Sequence, residues 1–110
     1  MKMNKGSYKI ITQRGWQTKE GTVGYDFPFY VFREEGEISR TAWCVSHMPS
    51  GYSIKKRLTL KSARDLVKKL KPFSLFLLPT VETICMEQER MRQRGEYQQL
   101  LTIINGASHE

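Results

Sequence analysis

The sequence predicts an α+β fold: an antiparallel β-meander of three to four strands, one amphipathic helix packed on it, and a helical C-terminal segment. Three observations predict it. Short β-branched and aromatic runs, separated by turns rich in Gly and Pro, fill residues 8–58 and show no helical stripe. Residues 59–71 then switch to a 3.6-residue apolar period. Beyond Pro72, two further apolar stripes at helical spacing reach to about residue 105. A chain of 110 residues is expected to form a single domain spanning 1–110.

Residues 1–7 read as a loose basic lead-in. Tyr8 to Trp16 alternates well enough for a strand ending near Gly15. Gln17 to Tyr25, with Gly21 and Gly24 among polar residues, reads as a loop. Asp26-Phe27-Pro28 is a turn, and Phe29 to Arg33 is a short aromatic strand. Glu34 to Glu37 is expected to be a tight turn into a strand that starts at Ile38. Pairing Glu34 with Glu37 would put Tyr30 and Phe32 on the same face as Trp43 and Val45.

Met48-Pro49-Ser50-Gly51 supplies the next turn. Pro49 suits position i+1 of a type I turn, and Gly51 can take φ > 0. With Pro49-Ser50-Gly51 as a three-residue loop, Val45 lies opposite Lys55 and Trp43 opposite Arg57. One face of the hairpin then carries Trp43, Val45, His47, Lys55 and Arg57. The other carries Ala42, Cys44, Ile54 and Leu58.

Thr59 or Ser62 caps the following helix. Leu60, Ala63, Leu66, Val67 and Leu70 fall on one side, and Lys61, Arg64, Lys68 and Lys71 occupy an arc of roughly 80° beside it. Pro72 ends it. Phe73 to Leu78 is a greasy linker of about one helical turn. Thr80 caps a second helix, with Glu82 in its first turn and Arg90, Arg92 and Arg94 near its end, matching the helix dipole. Gly95 interrupts. Tyr97, Leu100, Leu101 and Ile104 form a last stripe before Asn105-Gly106, and residues 107–110 read as a frayed tail.

The charge is strongly segregated. Between Ile38 and Lys71, nine Lys and Arg residues face only Asp65, leaving +8 against +7 for the whole chain, so the remainder is slightly acidic. A pI near 9.6 points to an acidic partner, nucleic acid being the commonest. No apolar run reaches the ~18–20 residues of a membrane span, and the polar first residues are not expected to act as a signal peptide. Cys44 and Cys85 are too few for a disulfide scaffold and lack metal-ligand spacing, so a cytoplasmic protein with reduced thiols is expected.

Catalytic chemistry finds no support. Nucleophile-elbow, Walker, zincin and C-x-x-C motifs are all missing. His47 beside the Pro49 turn is better placed to satisfy a carbonyl than to shuttle a proton, and His109 falls in the tail. Cys44 and His47, three apart in a strand, point to opposite faces. No enzyme activity, metal or cofactor is expected. The leading expectation is non-catalytic nucleic-acid binding through residues 55–71, as a homodimer, with single strands slightly favoured. Trp43, Lys55 and Arg57 would serve from the sheet, and Lys61, Arg64, Lys68 and Lys71 would track phosphates from the helix. The alternative is a protein-binding accessory or inhibitor factor acting through the apolar C-terminal helices, with Leu100, Leu101 and Ile104 at an interface, including that of a homodimer. In size and composition the chain resembles small basic accessory proteins of phages and mobile elements.

Overall fold

The computed structural model describes residues 1–78 and 80–107. Five strands pair antiparallel in chain order: β1 (Asn4–Thr12), β2 (Gly15–Asp26), β3 (Phe29–Glu34), β4 (Trp43–His47) and β5 (Ser53–Leu58). They are followed by α1 (Leu60–Leu70), a 3-10 turn at Ser74–Leu77, α2 (Val81–Arg94) and α3 (Glu96–Gly106). The expected α+β class stands, with five strands where three or four were foreseen. Among the described residues, no helix is long and apolar enough to cross a membrane. The tail expected at 107–110 lies, beyond Ala107, outside the described residues.

The additional strand corrects the loop expected at Gln17 to Tyr25, which is the body of β2. Its partner β1 begins at Asn4, inside the expected lead-in. The two form a long hairpin closed at Gly15, whose φ is 93°. There Thr12 Oγ1 accepts from the Arg14 N–H at 3.1 Å and donates to the Gly15 carbonyl at 3.1 Å. The β2–β3 ladder stops at Gly21↔Glu34, so residues 7–20 project beyond it as an arm.

That arm folds back over the sheet. Tyr8 pairs with Lys19, beyond the end of β3, yet its ring lies 4.2 Å from that of Phe32. The Tyr25 hydroxyl donates to the Ser7 carbonyl at 2.5 Å, the Tyr30 hydroxyl donates to the Lys9 carbonyl, and the Ile11 N–H reaches Gly51 O at 3.1 Å. Gly6 and Gly21 face each other across the hairpin at the base of the arm, and at Gly21 only a residue without Cβ lets the backbone of residues 33–35 approach so closely.

Two cores result, one on each side of the sheet. Phe29, Val31, Trp43, Val45 and Leu58 meet Ala63, Leu66, Val67 and Leu70 of α1, joined by Leu75, Phe76, Met91 and Leu100. Tyr8, Val23, Tyr30 and Phe32 form the smaller core beneath the arm. The expected common face of Tyr30, Phe32, Trp43 and Val45 is therefore corrected. Phe32, expected opposite Ser39, pairs with Cys44, five residues further on. An odd displacement exchanges faces. The intervening residues form a loop in which Ile38 is 92% exposed, so the strand expected from Ile38 starts only at Trp43.

The β4–β5 turn has the expected left-handed Gly51, with φ 72°, and Val45 pairs with Lys55. The expected three-residue loop is corrected to four, Met48 to Gly51: the His47 N–H bonds the Tyr52 carbonyl at 2.9 Å, and a register shift after Val45 pairs Ser46 with Ser53. Trp43, however, lies opposite Leu58, not Arg57, because Lys56 and Arg57 together oppose the single residue Cys44. This is a bulge, and Arg57 sits in it at φ 61°. A Cβ on Gly51 would overlap the Trp16 ring. Gly51→Val should therefore lower stability by ~2 kcal/mol, combining left-handed strain with that overlap. An unchanged melting temperature would show that neither acts.

Helix α1 is capped by Thr59, whose hydroxyl accepts from the Ser62 N–H at 3.1 Å. Thr80 caps α2 in a reciprocal box with Thr83, and Gly95 at φ 77° separates α2 from α3. Arg94 ties this joint by bonding Glu87 at 3.0 Å and Glu96 at 3.1 Å.

Candidate nucleic-acid interface

Residues Ala63, Leu66, Val67 and Leu70 anchor α1 in the main core, which fixes the direction of its other faces. Lys61, Arg64 and Lys68 are exposed and share one flank at helical spacing. The only acid on the helix, Asp65, is held by Lys69 at 3.0 Å. Among the described residues, no carboxylate pairs with Lys61, Arg64 or Lys68; Arg64 donates only to the Met1 carbonyl, at 3.4 Å. Lys71 differs from its expected companions. It is engaged by Asp26 at the end of β2, at 2.7 Å. The flank thus presents three cations.

A cleft of about 640 Å3 opens on the other side of the sheet, between the arm, the loop after β3 and the bulge in β5. Ile10 and Phe32 supply apolar lining, and Glu34, Glu37, Lys56 and Arg57 supply charges of both signs. In a regular strand, consecutive residues point to opposite faces. The bulge is what brings Lys56 and Arg57 to the same cleft. No ion pair joins these cations to Glu34 or Glu37 among the described residues. Cys44 lies across from the bulge, and burial pushes its thiol up, so the cleft wall there is a neutral S–H. Ser46, fully buried, also lines the cleft. Its hydroxyl has no partner at hydrogen-bond distance, although it lies near enough to the Tyr30 hydroxyl to affect it. Tyr30 itself is pushed up to about 12, chiefly by burial.

The structure does not bring all the expected site residues together. Trp43 is only 6% exposed, and the Arg33 guanidinium closes its ring at 4.7 Å from the centroid. Tyr30 and Phe32 are buried as well, beneath the arm. Those three rings are core and do not offer a stacking surface, which corrects the role expected for Trp43. Lys55 is half-buried opposite Val45. The half-exposed indole of Trp16, lying against Gly51 at the cleft wall, was not expected as a site residue. Its only sequence signal is an aromatic next to a hairpin turn.

On the helical side, Leu100 is 2% exposed and belongs to the protomer's own core, which removes it from the expected interface. Leu101 and Ile104 are half-buried and line an apolar groove of about 400 Å3 with Ile54, Tyr52, Val81 and Ile84. No family model, curated protein or solved structure matches this chain.

Proposed function

We propose that the chain is a non-catalytic nucleic-acid-binding protein that lays Lys61, Arg64 and Lys68 along a phosphate backbone. The observation that carries this reading is the state of that flank. Three cations stand on a helix anchored in the core, and the carboxylates nearby are engaged by Lys69 and Lys71. Their charge is therefore available to an external anion. Cations that displace condensed counterions bind nucleic acid with an affinity that falls as salt rises.

Anisotropy titrations against DNA at two salt concentrations test it. Lys61→Glu with Lys68→Glu should weaken binding by more than tenfold and cut the slope of log affinity against log salt by roughly 0.7–0.9 per lost contact. Reversing Lys5 and Lys9, exposed on β1, changes net charge equally and should cost far less. Equal losses from both pairs would mean diffuse attraction and no site on α1.

A second reading has one specific observation behind it. The groove lined by Leu101 and Ile104 is apolar, and Val81 and Met86 on α2 are about half exposed. Such a surface suits a protein partner or a second copy. A dimeric mass in light scattering would favour the second copy, and a monomer at high concentration would remove it.

A further inference from the structure

We propose that the cleft at the β5 bulge seats one unpaired base of a single strand, with the phosphate at Lys56 and Arg57 and the N–H edge of the base at Glu34 and Glu37. This rests on the nucleic-acid reading above and specifies what that partner presents.

Three features of the cleft carry the argument. First, its lining is matched to a ligand that is both anion and donor. Two cations and two carboxylates share the cleft without pairing to one another, so each retains capacity for a partner. A nucleotide offers a phosphate to the first pair and an exocyclic amine to the second; carboxylates are the side chains that accept from the cytosine amine. Secondly, the partly exposed apolar walls, Ile10, Ile11 and Ala42, suit the flat face of a base, and about 640 Å3 lies within the range of roughly 300–1,000 Å3 typical of small-ligand sites. Trp16, half-exposed against Gly51, can stack the next base along the strand.

Thirdly, the cations are placed there at a cost. Arg57 adopts φ 61°, a region that L-residues other than Asn, Asp and His seldom occupy. That conformation completes the bulge which turns Lys56 and Arg57 to one side. Backbone strain of this kind clusters at ligand-binding positions. A duplex keeps its bases stacked and paired, and it cannot enter.

Anisotropy with dC12, dT12 and a 12-base-pair duplex tests the proposal, with rC12 deciding between DNA and RNA as the source of the strand. Wild type should bind dC12 about tenfold more tightly than dT12, which has no exocyclic amine, and more tightly than duplex at equal salt. Arg57→Gly leaves the fold intact, because glycine takes φ > 0 freely. It should reduce dC12 affinity about tenfold while changing duplex affinity less than threefold. Glu34→Gln with Glu37→Gln is the decisive variant. If the acids receive a base, the preference for dC12 over dT12 collapses. If they only repel phosphate, both oligonucleotides bind more tightly by the same factor, and the proposal fails. Equal wild-type affinity for single strand and duplex, with full sensitivity to Lys61→Glu and Lys68→Glu, would overturn the cleft and leave the α1 reading standing. No binding of any nucleic acid at low salt would remove both.

Discussion

Gly21→Val should destabilise the protein by ~3 kcal/mol or more, and its melting temperature should fall by more than about 10 °C. A Cβ at this position would overlap the Arg33 carbonyl oxygen and approach Glu34 Cα and Glu35 N to 3.0 Å. All three are backbone atoms of the adjoining strand and its turn, so no side-chain rotation relieves the collision. Either β3 shifts, which disturbs the pairing of Phe32 with Cys44, or the arm leaves the sheet. In the second case Tyr8, Val23 and Phe32 lose their cover, and each buried apolar side chain of that size is worth roughly 1.5–3 kcal/mol. The bonds from Tyr25 to Ser7 and from Ile11 to Gly51 would go too. Gly106→Ala is the control, since its new Cβ meets nothing within 4 Å. It should melt at or slightly above the wild-type temperature. A Gly21→Val protein as stable as wild type would mean that the arm is not held against the sheet by this approach.

The same glycine explains why β2 was hidden in the sequence. Gly21 and Gly24 among polar residues carry the composition of a loop, and no alternation contradicts it. The reason for the glycine is a backbone twelve or more residues away in sequence, on another strand and its turn. Local signals fared better. Thr59, the apolar period of α1, Pro72 and the left-handed Gly51 each act within a few residues, and each was legible. The loop between β3 and β4 was not, because a turn at Glu34 to Glu37 and a longer excursion with Ile38 in solvent use the same residues. That difference of five residues moved Tyr30 and Phe32 to the other face. The candidate site divides in the same way. Lys61, Arg64 and Lys68 share a flank by helical spacing alone. Lys56 and Arg57 share a cleft only through a bulge at a non-glycine residue with positive φ, for which the sequence offers no cue.

His47 should make stability fall as pH drops below about 6.5, the ordinary value for a histidine. The side chain is 4% exposed, with Nε2 at 2.7 Å from the Phe76 carbonyl and Nδ1 at 2.8 Å from Ser50 Oγ. A carbonyl only accepts, so Nε2 carries the proton, and Nδ1 of the neutral ring accepts from the Ser50 hydroxyl. Ser50 Oγ in turn accepts from the Tyr52 N–H at 3.2 Å. The chain of donors runs in one direction and is complete. A second proton on Nδ1 would reverse the Ser50 bond and place a charge in the core. Burial accordingly pushes His47 down, and the Phe76 carbonyl only partly opposes it. With the folded value below the unfolded one, the full contribution is present above about pH 6.5. It is lost as pH falls from there towards the folded value, by at most about 1.4 kcal/mol per pH unit. The consequence is local, since this bond joins β4 to the 3-10 turn that leads into α2 and α3. His47→Leu would leave Phe76 O and Ser50 Oγ without their partner, costing ~2–3 kcal/mol at neutral pH. It should also flatten the stability profile between pH 7 and 5, above the range where carboxylates titrate. Melting curves of both proteins across that interval decide the matter. Parallel profiles would assign the acid sensitivity to another group and leave His47 with a packing role alone.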